Sequence, residues 1–194
     1  MAISTKQISD QLDAYLAAHP DETVRVAALV DAVRRGGELT ARDVLPGHVT
    51  TGAFLLDGDG RVIQIGHRSL GRWLNPGGHC EVGDVSLVDA ALRELTEETG
   101  IALGEISLLT SDPARRDAPF DVDVHFIPAN EKKGEPGHLH YDFRYAFRLS
   151  GSGAVVLQED EVDGHRWVTI AELGESGFDS DKVVAVKLAT IAGR

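Results

Sequence analysis

Three glutamates, Glu94, Glu97 and Glu98, stand three and four positions apart in RELTEETGI, with Arg93 directly in front of them. On a helix rising about 1.5 Å per residue, that spacing gathers the three carboxylates on one face within about one turn. Like charges held so close cost about a few tenths of a kcal/mol per pair in solvent. The cluster is therefore either a tolerated acidic surface or a nest of hard oxygen ligands for a divalent cation such as Mg2+ or Mn2+. Gly77 and Gly78, in NPGGHCE just upstream, weigh toward the cation. Glycine lets the main chain approach a ligand closely, and its carbonyl adds a further oxygen donor. Arg93 can grip one carboxylate with two parallel bonds and turn that group's remaining lone pairs toward the ion.

A second set of reactive side chains lies in DVDVHFIPANEKKGEPGHLHYDFRYAFRL, residues 121 to 149. His138 and His140 alternate with Leu139, so in a strand both face one side, and His125 can approach from a neighbouring strand. Three uses stay open for them: ligation of a transition metal, hydrogen bonds to a substrate's phosphate or base, and structural pairing. Arg144 is a candidate for phosphate contact. Tyr145 suits stacking on a substrate or packing in the core. Arg68, in Gly66-His67-Arg68, is a candidate phosphate contact at a strand end. Glu159, Asp160 and Glu161 form either a polar turn or a contact to metal or water.

These groups need elements to position them. Ser86 followed by Asp89 has the form of a capping box and Gly100 suits a left-handed C-cap, which places a helix from about Leu87 to Thr99. Val88, Ala91, Leu92 and Leu95 form its expected buried stripe. VTTGAFLLD and RVIQIGHR, on either side of Gly58-Asp59-Gly60, read as a β-hairpin. EISLLTS, DVDVHFI, HYDFRYAFRL and HRWVTI read as further strands, and DSDKVVAVKLATIAG as a closing helix. Strands on both sides of one central helix indicate a mixed α/β sandwich.

The first residues are helical in pattern. Ile8, Leu12, Tyr15 and Leu16 repeat at helix spacing, His19-Pro20 interrupts, and Val24, Ala27, Ala28 and Val33 resume before Gly36-Gly37. Residues 1–43 form an N-terminal helical extension, read as structural cover or a homodimer contact ahead of a substrate lid. Residues 44–194 form the domain that carries the chemistry.

Composition limits the partners. The 194 residues suffice for one sizeable core, and no apolar run approaches the roughly 20 residues needed to cross a bilayer. MAISTKQISDQLDAYLAAHPDE lacks the basic start and apolar stretch of a secretory signal, and the single cysteine, Cys80, suits a reducing compartment, so a cytoplasmic protein is expected. A net charge of −12 repels nucleic-acid polymers and anionic membranes. If the substrate is a small phosphate ester, a protein this acidic needs a device to overcome like-charge repulsion, and a divalent cation is the usual one.

Taken in order, Gly78, Arg93, Glu94, Leu95, Glu97, Glu98, Gly100 and Ile101 resemble the Nudix box, the signature of Nudix hydrolases. Asp84 stands where that pattern has its first glutamate, and eight residues rather than seven separate it from Arg93. The resemblance implies an α/β/α sandwich around a mixed sheet and hydrolysis of a nucleoside diphosphate linked to another moiety. It also implies that Glu94, Glu97 and Glu98 ligate the divalent cation, that Arg93 orients them, and that Gly77 or Gly78 lends a carbonyl. The general base is then Glu98, Glu159 or Glu161. Two other readings stand beside it. His48, His79 and the run Asp142-Phe143-Arg144-Tyr145 are also similar to isopentenyl-diphosphate isomerases, a branch with a metal-binding histidine set and a catalytic cysteine. Against this, Arg93 to Glu98 has the hydrolase form, and His79-Cys80 reverses the isomerase order. A non-catalytic nucleotide sensor would suit an eroded box, whereas here every carboxylate is present.

Overall fold

The computed structural model describes residues 3–68, 71–110, 117–131, 134–151, 153–157 and 162–193. Its first elements are the expected helices, α1 (Thr5–Ala18) and α2 (Ala27–Arg35). Ser4 starts α1 with a complete capping box to Gln7, and the chain leaves that helix at His19, ahead of a 3-10 turn over Pro20–Glu22. Ile8, Leu12 and Tyr15 are buried as their spacing requires. The second stripe is rotated from its expected position. Val26, Leu29 and Ala32 are buried while Val24 is 87% exposed, because regular helix begins only at Ala27.

Eight strands form one mixed sheet: β1 (Gly47–Leu56), β2 (Val62–His67), β3 (Arg72–Leu74), β4 (Gly77–His79), β5 (Ile106–Leu109), β6 (Asp121–Ile127), β7 (His138–Leu149) and β8 (Val162–Val168). The long strands β1 and β7 run parallel at its centre, with His48 opposite His140 and Thr50 opposite Asp142. Every other pairing is antiparallel: β2 and β4 against β1, β5 and β6 against β7, and β3 and β8 against β2. The hairpin of β1 and β2 is as expected. β4 is not, because the Gly77-Gly78 pair extends alongside Thr51 and Gly52 instead of forming an isolated turn.

Helix α3 spans Leu87–Thr99, capped by Ser86 through the Asp89 N–H and closed by Gly100 in the left-handed conformation at φ 65°. Its buried residues are Leu87, Ala90, Ala91, Leu95 and Thr99, with Val88 and Leu92 only partly covered. The stripe thus turns toward Leu87 and Ala90, since both β1 and β4 lie beneath the helix. A short helix, α4 (Ile170–Gly174), and the closing helix, α5 (Asp179–Ala192), complete the chain.

Strand alternation divides the interior into two cores on opposite faces of the sheet. On one face Val49, Ala53, Leu55, Tyr141, Phe143, Tyr145 and Phe147 pack with residues of α1, α2 and α3. On the other, Phe54, Leu56 and Ala146 pack with Leu173 of α4 and Val184, Leu188 and Ile191 of α5. The result is an α/β/α sandwich around a mixed sheet. The N-terminal helices share the first core with the sheet, which gives them the covering role.

Candidate functional site

Helix α3 brings its carboxylates against β4. The Gly77 N–H donates to Glu98 Oε2 at 3.0 Å, and a Cβ on Gly78 would lie 2.5 Å from Glu94 Oε1. A side chain at position 77 would strike the Thr51 carbonyl. Both glycines are therefore required by space, one by its strand partner and one by the glutamate cluster. Burial raises the Glu94 carboxyl above its ordinary range, and Glu97 and Glu81 add to that while Arg93 opposes it. A buried carboxylate beside others is destabilised until a positive charge joins it, so this set of carboxylate oxygens fits a hard divalent cation.

Arg93 organises the cluster in a way that the sequence only partly discloses. Nε and Nη2 bond the two oxygens of Asp84 at 3.0 and 3.1 Å. Nη1 reaches Glu94 at 3.1 Å and Glu97 at 3.0 Å, and Nη2 also donates to the His79 carbonyl at 2.9 Å. The carboxylate gripped with two bonds is thus Asp84, not one of the three helix glutamates. Asp84 is buried and also accepts from the Glu81 N–H at 2.7 Å. The shorter acid and the extra residue before Arg93 together still deliver a carboxylate to the guanidinium.

On the sheet face away from α3, histidines from four strands converge. His48 Nε2 lies 3.1 Å from His79 Nε2, and His138 Nε2 lies 3.2 Å from His140 Nε2. His125 stands opposite His140 in the β6–β7 register, with ring centroids 5.5 Å apart. One ring nitrogen from each of His48, His79 and His140 lies within 4.8 Å of the others. Burial holds these imidazoles neutral: it lowers His48 below its ordinary range, takes His79 down to about 4 and takes His140 down to about 3. The expectation for His125, His138 and His140 as one cluster is met in space. His48 and His79 join it through the parallel pairing of β1 with β7 and the pairing of β4 with β1, which no local pattern discloses.

The model of the NUDIX domain matches residues 46–187. The chain belongs to the NUDIX family. A Lactococcus lactis protein named "Probable DHNTP pyrophosphohydrolase" is 34% identical to this Nudix protein over 98 residues, 50% of this chain and 52% of that relative, so the match spans about half the relative's length. An RNA pyrophosphohydrolase of Roseobacter denitrificans is 32% identical over 150 residues, 73% of this chain and 90% of the relative. The crystal structure of a C. elegans Ap4A hydrolase binary complex shares the Nudix fold, with a TM-score of 0.58 at 16% identity over 75% of this chain and 98% of that one. Neither the isomerase nor the sensor reading is favoured by these relatives.

Two other expectations for this Nudix domain need correcting. Arg144 is 6% exposed and its guanidinium is committed to Asp142 at 2.8 Å and to Asp121 and Asp123 at 3.1 Å each. A buried cation requires such partners, which leaves Arg144 no donor directed at a phosphate. Tyr145 is 1% exposed in the core under α3, on the sheet face opposite the histidines, so it cannot stack on a substrate. Arg68 follows β2 and pairs with Asp163 at 2.5 Å; among the described residues it has no contact with the box. Glu159, Asp160 and Glu161 lie outside the described residues.

Proposed function

We propose that this Nudix hydrolase cleaves a pyrophosphate bond in a nucleoside diphosphate linked to another moiety, with Mg2+ or Mn2+ as its cofactor. The reaction class, hydrolysis of a phosphoanhydride, follows from the family and from the pyrophosphohydrolases among its relatives. The observation that carries the reading is the placement of Glu98 and Glu94 against Gly77 and Gly78, with Glu97 held by Arg93 on the same helix.

Glu94, Glu97, Glu98 and the Gly78 carbonyl would hold the ion. Bound there, a divalent cation supplies neutralisation of phosphate charge and a water made acidic enough to attack. The chain does the positioning. Arg93 holds Glu94 and Glu97 in place from an anchor on Asp84, and the Gly77 N–H fixes the orientation of Glu98. We assign the role of general base to Glu98, whose carboxylate the Gly77 N–H holds at the box.

A cytoplasmic location and a small molecule in place of a polymer belong to the same proposal, supported by the −12 charge and the lone cysteine. So does the division into a helical extension over 1–43 and a Nudix domain over 44–194, supported by a family match that starts at residue 46. A Mg2+-dependent hydrolysis screen, with the monophosphate and pyrophosphate products resolved by ion-exchange chromatography, tests the substrate class. It would include ADP-ribose, a sugar nucleotide, a dinucleotide polyphosphate, an oxidised nucleoside triphosphate, dihydroneopterin triphosphate and a 5′-triphosphorylated RNA. Turnover of a small nucleotide above the RNA supports the proposal, and turnover of the RNA alone overturns it.

A further inference from the structure

We propose that His48, His79 and His140 form a second metal site, separate from the glutamate box, for a borderline divalent ion of the Zn2+ class. The three rings come from β1, β4 and β7, strands that are hydrogen-bonded to one another, so the donors are set by rigid elements and not by a loop. A zinc–nitrogen bond of about 2.0–2.1 Å in a tetrahedral site places two ligand nitrogens roughly 3.3 Å apart. The His48–His79 separation of 3.1 Å and the 4.8 Å limit on the whole set leave these rings little adjustment to reach that geometry.

A metal of this class is bound by the lone pair of a neutral imidazole. The two histidines beside the set, His138 and His125, are oriented by their surroundings. The Pro136 carbonyl accepts from His138 Nδ1 at 2.9 Å, which places that ring's lone pair on Nε2, 3.2 Å from His140 Nε2. Asp123 does the same for His125 through Nδ1 at 3.0 Å. Such carbonyl and carboxylate partners fix the tautomer of metal-binding histidines. His138 thus lies beside the set, with its Nε2 next to His140. Nitrogen donors select Zn2+, Co2+, Ni2+ or Cu2+ over Mg2+, whereas the oxygen donors of the box select the reverse, so the two sites discriminate by ligand chemistry.

The test uses the full chain without an affinity tag, stripped by chelator and titrated with Co2+ and then Zn2+, and it does not depend on any substrate. The expected result is one equivalent of Co2+ with visible d–d absorption, abolished when Zn2+ displaces it, and a higher Tm with Zn2+ bound. Glu97→Gln should retain that spectrum. His140→Gln and His79→Gln, checked for folding by circular dichroism, should bind at least about tenfold more weakly. The proposal is overturned if wild type shows no saturable Co2+ or Zn2+ binding, if a folded histidine variant binds as wild type does, or if Glu97→Gln abolishes the signal.

Discussion

Arg93 donates from Nη2 to the main-chain carbonyl of His79 at 2.9 Å, and this bond ties the glutamate box to β4, one of the four strands that contribute to the histidine cluster. The same guanidinium holds Asp84, Glu94 and Glu97. One side chain thereby sets the distance between α3 and β4, the two elements that meet at the box. The arrangement requires a planar fork with several donors, which an ammonium group cannot reproduce.

Arg93→Lys is accordingly expected to weaken the apparent Mg2+ affinity in hydrolysis by roughly 10–100-fold, the usual cost of losing a group that orients metal ligands. A Mg2+ titration of initial rates measures it. Parental Mg2+ dependence in the lysine variant would show that Arg93 does not orient the ligands.

Glu97→Gln and Glu98→Gln should each lower kcat by roughly 10²-fold or more, because electrostatic stabilisation at such a centre is worth several kcal/mol. Their thermal unfolding should stay close to wild type, since removing one carboxylate from a like-charged group relieves repulsion. Unchanged turnover in both variants would leave a domain that binds without catalysing.

Acid should unfold the protein through Asp121. Burial pushes this carboxyl up, but Arg144, Arg25 and Lys187 outweigh that and hold it at about 2. A folded value below the unfolded one, about 3.9, gives stability that is complete above the unfolded value and is lost as pH falls from there toward 2. Asp121→Asn should cost about 3–5 kcal/mol at neutral pH, the penalty for breaking a buried ion pair, and flatten that acid limb. Urea unfolding at neutral pH and in steps below about pH 4 checks both, and an unchanged acid limb in the variant would refute the assignment.

The Cys80 thiol should be unreactive. Burial, aided by the negative charge of Asp84, pushes it up to about 12, so little thiolate exists in the folded state. Iodoacetamide near pH 8 should label the protein only after denaturation. Rapid labelling of the native chain would contradict this.

How much of this was legible beforehand depended on the range of the interactions. The limits of α3 and β6 could be read in full, because caps, glycines and strand alternation are local signals. The box was legible for the same reason. β4 was hidden, since Gly77-Gly78-His79 carries no strand propensity and is extended only by its pairing with β1. Arg144 reads as a phosphate contact, and Tyr145 as either a stacking or a core residue, because strand parity says which residues share a face but not what covers that face. Asp121 and Asp123 on β6 claim Arg144, while α3's side of the sheet claims Tyr145. His48 meets His140 across 92 residues of sequence through a parallel pair, a pairing that leaves no trace in either strand alone.

The central claim, that the carboxylate box is a metal-dependent hydrolytic centre, is tested most directly by following hydrolysis of the best substrate in Mg2+, in excess chelator, and after Mg2+ is restored. Activity should disappear in chelator and return with Mg2+ in the wild type, while Glu97→Gln recovers at most roughly one hundredth of it. Full hydrolysis in excess chelator would contradict the account.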